Sequence, residues 1–363
     1  MYDFLLIGAG LFNAVFAHEA SKRGKTCLVL EKRNHIGGNC YTEKVQDIIV
    51  HKYGAHIFRT SDIEIWNYMQ QFAVFNHFIN SPVAKYKGEL YNLPFNMNTF
   101  SRMWNISTPE EAKDIIKSQS KEMTEPAQNL EEHVLGLVGT DIYEKLIKGY
   151  TEKQWGKKCV ELPPSIMRRI PLRFTYDNNY FNDPYQGIPI GGYTPVLEQM
   201  FGKCEVICDT DYLQNRDQWN SKAERIVYTG TIDSYYNYKF GELEYRSLRF
   251  ESEALETDNY QGVAVVNYTD IDVPYTRIIE HKHFAFGQQD HTIISKEYPL
   301  KWEKGIEPYY PINDERNMKK YSLYKECADC EANIYFGGRL GEYRYYDMQD
   351  TIRAALKLAQ KIL

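Results

Sequence analysis

The N-terminal segment has a pattern that is typical of a dinucleotide-binding βαβ unit. A run of apolar residues at 2–7, which predicts a buried strand, leads directly into a Gly-Ala-Gly turn at 8–10 and a helix-forming segment at 14–20. A second apolar strand at 26–30 ends at Glu31. In such units the glycines let the backbone approach a pyrophosphate at the helix N-terminus, and an acid about 20 residues further on accepts the ribose hydroxyls. The chain is therefore expected to begin with a dinucleotide-binding fold.

The glycine motif alone is a weak signal because its third position is not glycine. Asn13 stands there, so we expect looser packing of the first helix. The strand before the turn, the helix after it and the acid at the right distance support the assignment.

A second glycine pair favours FAD over NAD as the cofactor. Gly37 and Gly38 follow Glu31 closely, and glycines at this place let the chain pass beside an extended cofactor. The alternative is an ordinary βαβ unit that contains a Gly-Gly turn. The far end of the chain favours the flavin, because a strand at 333–336 runs into a Gly-Gly-Arg turn at 337–341, whose backbone N–H groups suit a flavin ring.

The C-terminal segment at 351–363 is predicted to be an amphipathic helix. Its apolar residues recur at the spacing of one helix face, and they are Ile352, Ala355, Leu356, Ala359 and Ile362. The two ends of the chain would then meet in one domain.

The composition excludes several classes of protein. The net charge of −6 indicates no general affinity for nucleic acid or anionic membranes. No stretch approaches the ~18 apolar residues of a membrane span, and an N-terminus that is already a core strand predicts no signal peptide, so we expect a cytoplasmic protein. The seven cysteines are scattered, and Cys327 and Cys330 form a lone CxxC. Reduced thiols are therefore expected rather than a metal site.

Beyond the first unit the pattern changes from helical to extended. Residues 97–149 are predicted to be helical, with start signals at Ser107-Thr108-Pro109-Glu110 and at Asn129. Residues 163–171 lack periodicity and are predicted to be a loop. From 241 to 302 polar and apolar residues alternate, which predicts an antiparallel sheet with one wet face. Its predicted strands are 242–250, 262–267, 276–286 and 291–298.

These patterns predict an α/β fold with a Rossmann-like FAD-binding domain, an inserted helical domain and an antiparallel β-sheet domain. The predicted boundaries are 1–76, 188–232 and 331–363 for the FAD-binding domain, 99–160 for the helical domain, and 77–98, 161–187 and 233–330 for the sheet domain.

The segment Gly-Tyr-Thr-Glu-Lys-Gln-Trp-Gly at 149–156 is too unusual to be routine core sequence. Further motifs follow it along the chain: Arg168-Arg169-Ile170-Pro171, Asp177-Asn178-Asn179-Tyr180-Phe181, Tyr275-Thr276-Arg277-Ile278-Ile279-Glu280, Glu307-Pro308-Tyr309-Tyr310-Pro311 and Tyr343-Arg344-Tyr345-Tyr346-Asp347. Together they closely resemble the prokaryotic UDP-galactopyranose mutases. The resemblance covers essentially the whole chain in the same order.

The resemblance implies a flavoenzyme that interconverts the pyranose and furanose forms of a UDP-sugar and supplies furanose donors for cell-surface polysaccharide. The net reaction is not redox, yet the FAD must be kept reduced by an electron donor. Reduced flavin N5 would attack the anomeric carbon, expel UDP and form a flavin–sugar adduct that opens and recloses. The substrate would be UDP-galactose, UDP-N-acetylgalactosamine or both. Homodimers are common in the family.

The resemblance also implies roles for individual residues. His56 would face the reactive edge of the flavin, and Arg169 and Arg277 would clamp the diphosphate; these three are the predicted catalytic residues. The predicted substrate-binding residues are Arg59, Tyr150, Thr151, Trp155, Arg169, Tyr180, Asn267, Arg277, Tyr310, Tyr345 and Asp347. The predicted cofactor-binding residues are Gly8, Gly10, Leu11, Phe12, Glu31, Lys32, Gly38, Asn39, His56, Arg339, Asp347 and Met348.

Within the implied site Tyr150 would stack on the uracil and Trp155 would lie beside the sugar. Arg339 would help to hold the anionic reduced flavin. Residues 163–174 would form a mobile lid that carries Arg169 and closes when the UDP-sugar binds.

Each of these residues has a structural alternative. Tyr150 and Trp155 would then cap a helix end in the core, and Arg277 would pair with a carboxylate on a sheet surface. His56 would be a hydrogen-bonded structural histidine.

Arg59 departs from the family pattern, which usually has His at that position. Because it follows His56 by three residues, it would border the sugar pocket and donate to a 2-acetamido carbonyl. The alternative is a surface ion pair with Asp62 or Glu64.

Two other functions remain open. An FAD-dependent oxidoreductase such as an amine oxidase fits the glycine motifs at both chain ends equally well, but it would not explain arginines and tyrosines that suit a diphosphate. A flavin-binding protein without turnover is disfavoured by the presence of His56, Trp155, Arg169 and Arg277.

Overall fold

The computed structural model describes residues 1–120, 127–167, 170 and 172–363. They belong to two compact units. Unit 1 consists of Met1–His77, Asp183–Ser247 and Trp302–Leu363, and unit 2 consists of Phe78–Asn182 and Leu248–Lys301. The division into three domains that the sequence suggests is finer than this and stays a prediction.

Strands and helices alternate along much of the sequence of unit 1, whereas in unit 2 most helices follow one another between two groups of strands. The strands, in chain order, are β1 (Tyr2–Ile7), β2 (Cys27–Leu30), β3 (Thr42–Val45), β4 (Ile48–His51), β5 (Phe58–Thr60), β6 (Val83–Tyr86), β7 (Glu89–Asn92), β8 (Tyr185–Gly187), β9 (Glu205–Ile207), β10 (Ala223–Tyr228), β11 (Tyr245–Leu255), β12 (Val265–Tyr268), β13 (Arg277–Glu280), β14 (Thr292–Lys301), β15 (Tyr310–Pro311) and β16 (Ile334–Phe336). The α-helices are α1 (Leu11–Lys22), α2 (Ile63–Gln70), α3 (Met97–Trp104), α4 (Pro109–Gln119), α5 (Leu130–Ile142), α6 (Gly149–Trp155), α7 (Thr194–Phe201), α8 (Arg216–Asn220), α9 (Ile232–Tyr235), α10 (Glu315–Asp329), α11 (Gly338–Gly341) and α12 (Met348–Ile362).

A parallel sheet in the order β16-β10-β1-β2-β9 forms the centre of unit 1. In β1, Phe4 and Leu6 pack in the core that includes α1, α7 and α12, whereas Leu5 and Ile7 pack in a separate cluster. Burial on both faces explains why residues 4–7 of β1 form a continuous apolar run. The Rossmann-like fold is confirmed, and the first and last strands of the chain are separated by one strand only.

The third position of the glycine motif is not loosely packed. Asn13 is fully buried, and its Nδ2 donates to the carbonyl oxygens of Ile7 (3.0 Å) and Gly8 (2.8 Å). The expectation of looser packing is wrong, because the buried amide of Asn13 forms two hydrogen bonds across the turn.

The last helix begins earlier than the sequence indicates. The side chain of Asp347 accepts a hydrogen bond from the Asp350 N–H, so α12 starts at Met348. Ile352, Ala355 and Ala359 are buried. The predicted apolar face is therefore confirmed.

Unit 2 contains a sheet in the order β11-β14-β13-β12-β6-β7. The pairs β14–β13, β13–β12 and β6–β7 are antiparallel, and β12–β6 is parallel. The strand predicted at 276–286 ends at Glu280, where a 3-10 helix, His281–Ala285, follows. His281 and Phe284 are both buried in that turn, whereas a strand would direct residues three apart to opposite faces.

The helices of unit 2 begin at residues that cap them. Thr108 caps α4 and exchanges hydrogen bonds with Glu111, so the capping box uses this pair and not Ser107 with Glu110. Asn129 caps α5, as the sequence predicts.

The segment predicted to be a loop at 163–171 is not wholly irregular. Pro164–Met167 forms a 3-10 helix. Arg168, Arg169 and Pro171 lie outside the described residues, so the proposed lid stays a prediction. No helix in the described part of the chain is long and apolar enough to cross a membrane.

Candidate active site

The glycine turn of unit 1 brings backbone segments closer than side chains would allow. Gly8 has φ +96°, and a Cβ built on it would lie 2.5 Å from the hydroxyl oxygen of Thr229. A Cβ on Gly38, where φ is +54°, would lie 3.0 Å from Cα of Gly10. The two glycine motifs therefore pack against each other through backbone atoms, which leaves this surface open to a close-lying ligand.

The N-terminus of α1 and Glu31 adjoin this turn. Gly10 occupies the N-cap position and provides no side-chain cap, and the first turn holds no acidic residue. Its N–H groups are therefore suited to an anion. Glu31 is 7% exposed and accepts the N–H groups of Ala9 (2.7 Å) and Arg33 (2.9 Å). Its remaining lone pairs suit ribose hydroxyls.

Arg33 belongs to the same region, although the sequence did not single it out. Its Nη2 lies 3.1 Å from Oδ1 of Asn39 and 3.3 Å from Glu307, and its guanidinium lies 4.3 Å from the centre of the Tyr53 ring. Lys32 forms an ion pair with the same Glu307. The buried Nη1 of Arg33 has no hydrogen-bond partner among the described residues. A buried cationic donor of this kind fits a pyrophosphate.

The C-terminal Gly-Gly turn packs on the first helix. A Cβ on Gly337 would lie 2.3 Å from the ring of Phe12, and Gly338 has φ +74°. Leu11 and Phe12 are buried in the core, and Met348 packs against it. The side chains of Leu11 and Phe12, two predicted cofactor residues of α1, are therefore part of the apolar core beneath the turn.

Arg339 extends from this turn into a cluster of tyrosines. It donates to the carbonyl oxygens of Tyr309 (3.0 Å) and Tyr346 (2.6 Å), which fixes the guanidinium. It lies 5.2 Å and 5.0 Å from the ring centres of Tyr310 and Tyr345. The structure thus brings together three residues for which the sequence predicted ligand contacts.

These features fit FAD. Backbone-only packing at the glycines, a helix N-terminus without a cap, a buried acid and an unpaired buried guanidinium nitrogen are the groups that a dinucleotide requires. The individual cofactor contacts stay predictions.

His56 is oriented by its own loop. Its Nδ1 lies 2.8 Å from the carbonyl oxygen of Gly54, and its backbone N–H donates to Nδ1 of the buried His51 (3.2 Å). A carbonyl partner requires the proton on Nδ1, so Nε2 of the neutral ring is the acceptor.

Arg59 forms ion pairs, but not with the predicted partners. It lies 2.6 Å from Asp183 and 3.1 Å from Asp347, instead of contacting Asp62 or Glu64. Asp62 caps α2 through Oδ1, and its Oδ2 forms an ion pair with Arg353 (3.1 Å). Burial raises the pKa of Asp347, and Arg59 opposes that shift. Arg59 thereby ties β5 to the N-terminus of α12.

In unit 2, Arg277 is held between an acid and a phenol. Its Nε lies 3.1 Å from Oε1 of Glu297, and its Nη2 donates to the hydroxyl of Tyr150 (2.7 Å). Glu297 is 5% exposed and also accepts from the hydroxyl of Thr276 (2.9 Å). The predicted alternative, an ion pair with a neighbouring carboxylate of the sheet, is confirmed as a pairing with the cross-strand residue Glu297, although that carboxylate is buried and not on the surface.

The other predicted residues of unit 2 differ in their surroundings. Asn267 lies opposite Arg277 in the β12–β13 register, and its buried Oδ1 has no partner among the described residues. Tyr180 is 39% exposed, and Thr151 is only 2% exposed. Trp155 is the last residue of α6, and the αL residue after it ends the helix, so neither Trp155 nor Tyr150 acts as the cap.

Sequence reasoning missed the residues that hold the predicted arginines in place. Glu297 and Asp183 lie far along the chain from Arg277 and Arg59, and no local pattern joins them. Glu297 lies in a strand that also contains Thr, Ser and Lys residues, so the local sequence carries no signal that this acid is buried.

Comparisons with known proteins cover both units. The family described as "UDP-galactopyranose mutase" matches residues 145–345, and the one described as "NAD(P)-binding Rossmann-like domain" matches residues 6–72. A protein of Klebsiella pneumoniae named "Probable UDP-galactopyranose mutase" is 38% identical over 99% of this chain and 94% of its own.

A "dTDP-fucopyranose mutase" of Escherichia coli is 36% identical over 99% of this chain and 98% of its own length. Among solved structures, that of a reduced UDP-galactopyranose mutase covers 100% of this chain and 94% of its own with a TM-score of 0.76. At 14% identity in that alignment, this likeness shows the fold.

Proposed function

The chain belongs to the UDP-galactopyranose mutase family, and on that basis we propose that its substrate is UDP-galactose. It is a flavin-dependent isomerase that interconverts pyranose and furanose sugars, and its cofactor is FAD. The oxidoreductase alternative is not supported, because the family match includes residues 145–345, which lie beyond the N-terminal dinucleotide motif.

One observation carries the proposal: Arg277 is fixed beside Tyr150 by a buried acid. Nη2 of Arg277 lies 2.7 Å from the Tyr150 hydroxyl, and Nε lies 3.1 Å from Glu297. A guanidinium that is always charged and held in one direction suits a diphosphate, and an adjacent phenol ring suits a pyrimidine base. An amine oxidase has no use for this pair.

The residues of the chain bind, orient and exchange protons, and reduced FAD supplies a nucleophilic nitrogen for covalent catalysis. Arg277 stabilises the charge that develops on the diphosphate as it leaves the sugar. Nε2 of His56, the acceptor nitrogen, can receive a proton from a sugar hydroxyl while Nδ1 stays bound to Gly54.

The choice of sugar depends in part on Arg59. Its guanidinium lies 2.6 Å from Asp183 and 3.1 Å from Asp347, so two carboxylates compete with any acetamido carbonyl. This favours UDP-galactose over UDP-N-acetylgalactosamine as the better substrate. The relative named for dTDP-fucopyranose makes a dTDP-sugar the second candidate.

We also propose that the enzyme acts in the cytoplasm as a homodimer, with an external electron donor that keeps the flavin reduced. Its furanose product would serve as a donor for cell-surface polysaccharide. The support is the family membership together with the absence of a membrane-spanning helix among the described residues.

The test incubates the purified protein with UDP-galactose, UDP-N-acetylgalactosamine or dTDP-fucose, each with and without dithionite, and separates the nucleotide sugars chromatographically. We expect a new UDP-sugar of unchanged mass, formed only under reducing conditions and fastest from UDP-galactose. An oxidised sugar product, or equal turnover by oxidised enzyme, would contradict the proposal. Faster conversion of dTDP-fucose would replace the substrate and leave the reaction class intact.

A further inference from the structure

Lys153 lies in α6, and its ammonium group is surrounded by backbone carbonyls. Nζ lies 2.7 Å from the carbonyl oxygens of Tyr268 and Asp270, 2.9 Å from that of Val273 and 3.0 Å from that of Tyr275. An ammonium has three N–H donors and no acceptor, so these oxygens saturate it. A single side chain therefore holds the loop between β12 and β13 at four points.

The same helix face makes a second contact with this loop. Gly149 lies one turn before Lys153, and a Cβ on it would lie 2.3 Å from the carbonyl oxygen of Thr269 and 3.1 Å from the nitrogen of Ile271. Positions four apart share a face of a helix. The hydroxyl of Thr269 donates to the carbonyl oxygen of Lys145 (2.6 Å). Close backbone packing and the ammonium therefore act on the loop from one direction.

The loop joins the two strands that carry predicted substrate residues. Asn267 precedes its start, and Arg277, the first residue of β13, follows its end and donates to Tyr150 of α6. We propose that Lys153 is a positioning residue: it holds the 268–275 loop on α6 so that Arg277 meets the diphosphate beside Tyr150. This inference rests on the proposed function, because Arg277 binds the diphosphate in it.

Burying the Lys153 ammonium costs free energy, so its contacts with the loop must compensate for that cost. Burial lowers the pKa of Lys153 to about 8, and the nearby Asp270 opposes the shift. A buried charge is favourable only when its hydrogen bonds are satisfied. Without the ammonium, several carbonyls would lack a donor and the loop would move toward water. The position of the loop thus depends on this charge as well as on the contacts of Gly149 and Thr269.

The test compares Lys153→Met with a matched control, Lys282→Met, in the holoenzyme. Lys282 also donates to backbone carbonyls of unit 2, those of Asp258, Gln289 and His291, but not to the 268–275 loop. Hydrogen–deuterium exchange of peptides from this loop reports on positioning directly. The UDP dissociation constant and the separate values of kcat and KM report on function.

We expect Lys153→Met to raise exchange in the loop, to weaken UDP binding by about tenfold, and to leave the FAD content unchanged. Lys282→Met should leave loop exchange and UDP affinity as in the wild type. In an Arg277→Ala background Lys153→Met should weaken UDP binding little further, because its effect passes through that arginine. Lys153→Gln, which keeps two donors, should be intermediate and replaces the Met variant if that fails to fold.

Unchanged loop exchange in both Lys153 variants would overturn the inference. So would an equal loss of UDP affinity with and without Arg277. If the wild type converts no nucleotide sugar and binds no UDP, the proposed function fails, and loop exchange alone then decides whether Lys153 holds the 268–275 loop.

Discussion

The predicted ligand contacts of the two units depend on different features of the chain. In unit 1 the turn at Gly8, Gly10 and Gly38 works through the absence of side chains, and the helix that follows presents uncapped N–H groups. In unit 2 the predicted diphosphate contact is a long charged side chain, that of Arg277, and a buried Glu297 directs it. Backbone N–H groups can bind a ligand only where no side chain blocks its approach. A long side chain needs a neighbouring group that holds it in one direction.

The difference has a physical basis. A backbone N–H is placed by the fold itself, so it loses little conformational entropy when a ligand arrives. A free arginine side chain has many rotamers, and fixing it costs about 2 kcal/mol. Buried partners remove that freedom before the ligand binds, which is a form of preorganisation. The unit 2 contacts should therefore be sensitive to residues that never touch the substrate.

The largest effect is expected from Arg277→Ala. Loss of a charge-assisted contact to phosphate should lower kcat/KM by at least the factor that corresponds to about 1.5–3 kcal/mol. The flavin content should stay that of the wild type, because the residue belongs to unit 2. Arg249→Ala is the matched control, since Arg249 pairs with Glu251 at an exposed position of the same unit. Equal losses of kcat/KM in both variants would show that the net charge of the protein, and not the position of Arg277, determines the effect.

Gly38→Ala should act on the cofactor instead. The new Cβ would lie 3.0 Å from Cα of Gly10 at a φ of +54°, so the two motifs must separate. We expect most of the bound flavin to be lost, measured as the flavin-to-protein ratio after gel filtration. Gly24→Ala is the control, because Gly24 also has positive φ, +71°, but nothing lies within 4 Å of the added atom. Comparable flavin loss in the control would point to backbone strain, which costs about 1–2 kcal/mol at either site.

Glu297→Gln should give an intermediate loss. The amide keeps the size and one acceptor oxygen but removes the charge that lies 3.1 Å from Nε of Arg277. We expect weaker UDP binding with the flavin content unchanged, and a loss smaller than that of Arg277→Ala. Calorimetric titration with UDP measures it. A variant that binds UDP like the wild type would show that the charge of Glu297 does not direct Arg277.

The smallest effect is expected from Arg59→His. Arg59 is about one-third exposed, and partly exposed ion pairs contribute about 0–1 kcal/mol, so the free energy of unfolding should change little. The ratio of kcat/KM for UDP-N-acetylgalactosamine to that for UDP-galactose should shift modestly, because Asp183 and Asp347 lose their shared cation. An unchanged ratio would exclude Arg59 as a selector of the sugar.

The sequence by itself determined most of the elements of the dinucleotide-binding fold in unit 1. The strand–turn–helix pattern, the second glycine pair and the apolar face of α12 are local, since each depends on residues that are neighbours along the chain. Asn13 is the exception, because its amide finds carbonyls that lie five and six residues earlier only once the turn has formed. The ordered motifs between 149 and 347 likewise carried the resemblance to the family that the comparisons show.

Only the tertiary structure decided how the arginines are held. Arg59 meets Asp183, which is 124 residues away, and not the nearby Asp62, which caps a helix and pairs with Arg353. Arg277 meets Glu297 because β13 and β14 pair in antiparallel register. The role of Lys153 depends on carbonyls more than 100 residues further along the chain. Local propensity sets which residues form a strand or a helix, but pairing between distant segments selects the partner of each buried charge.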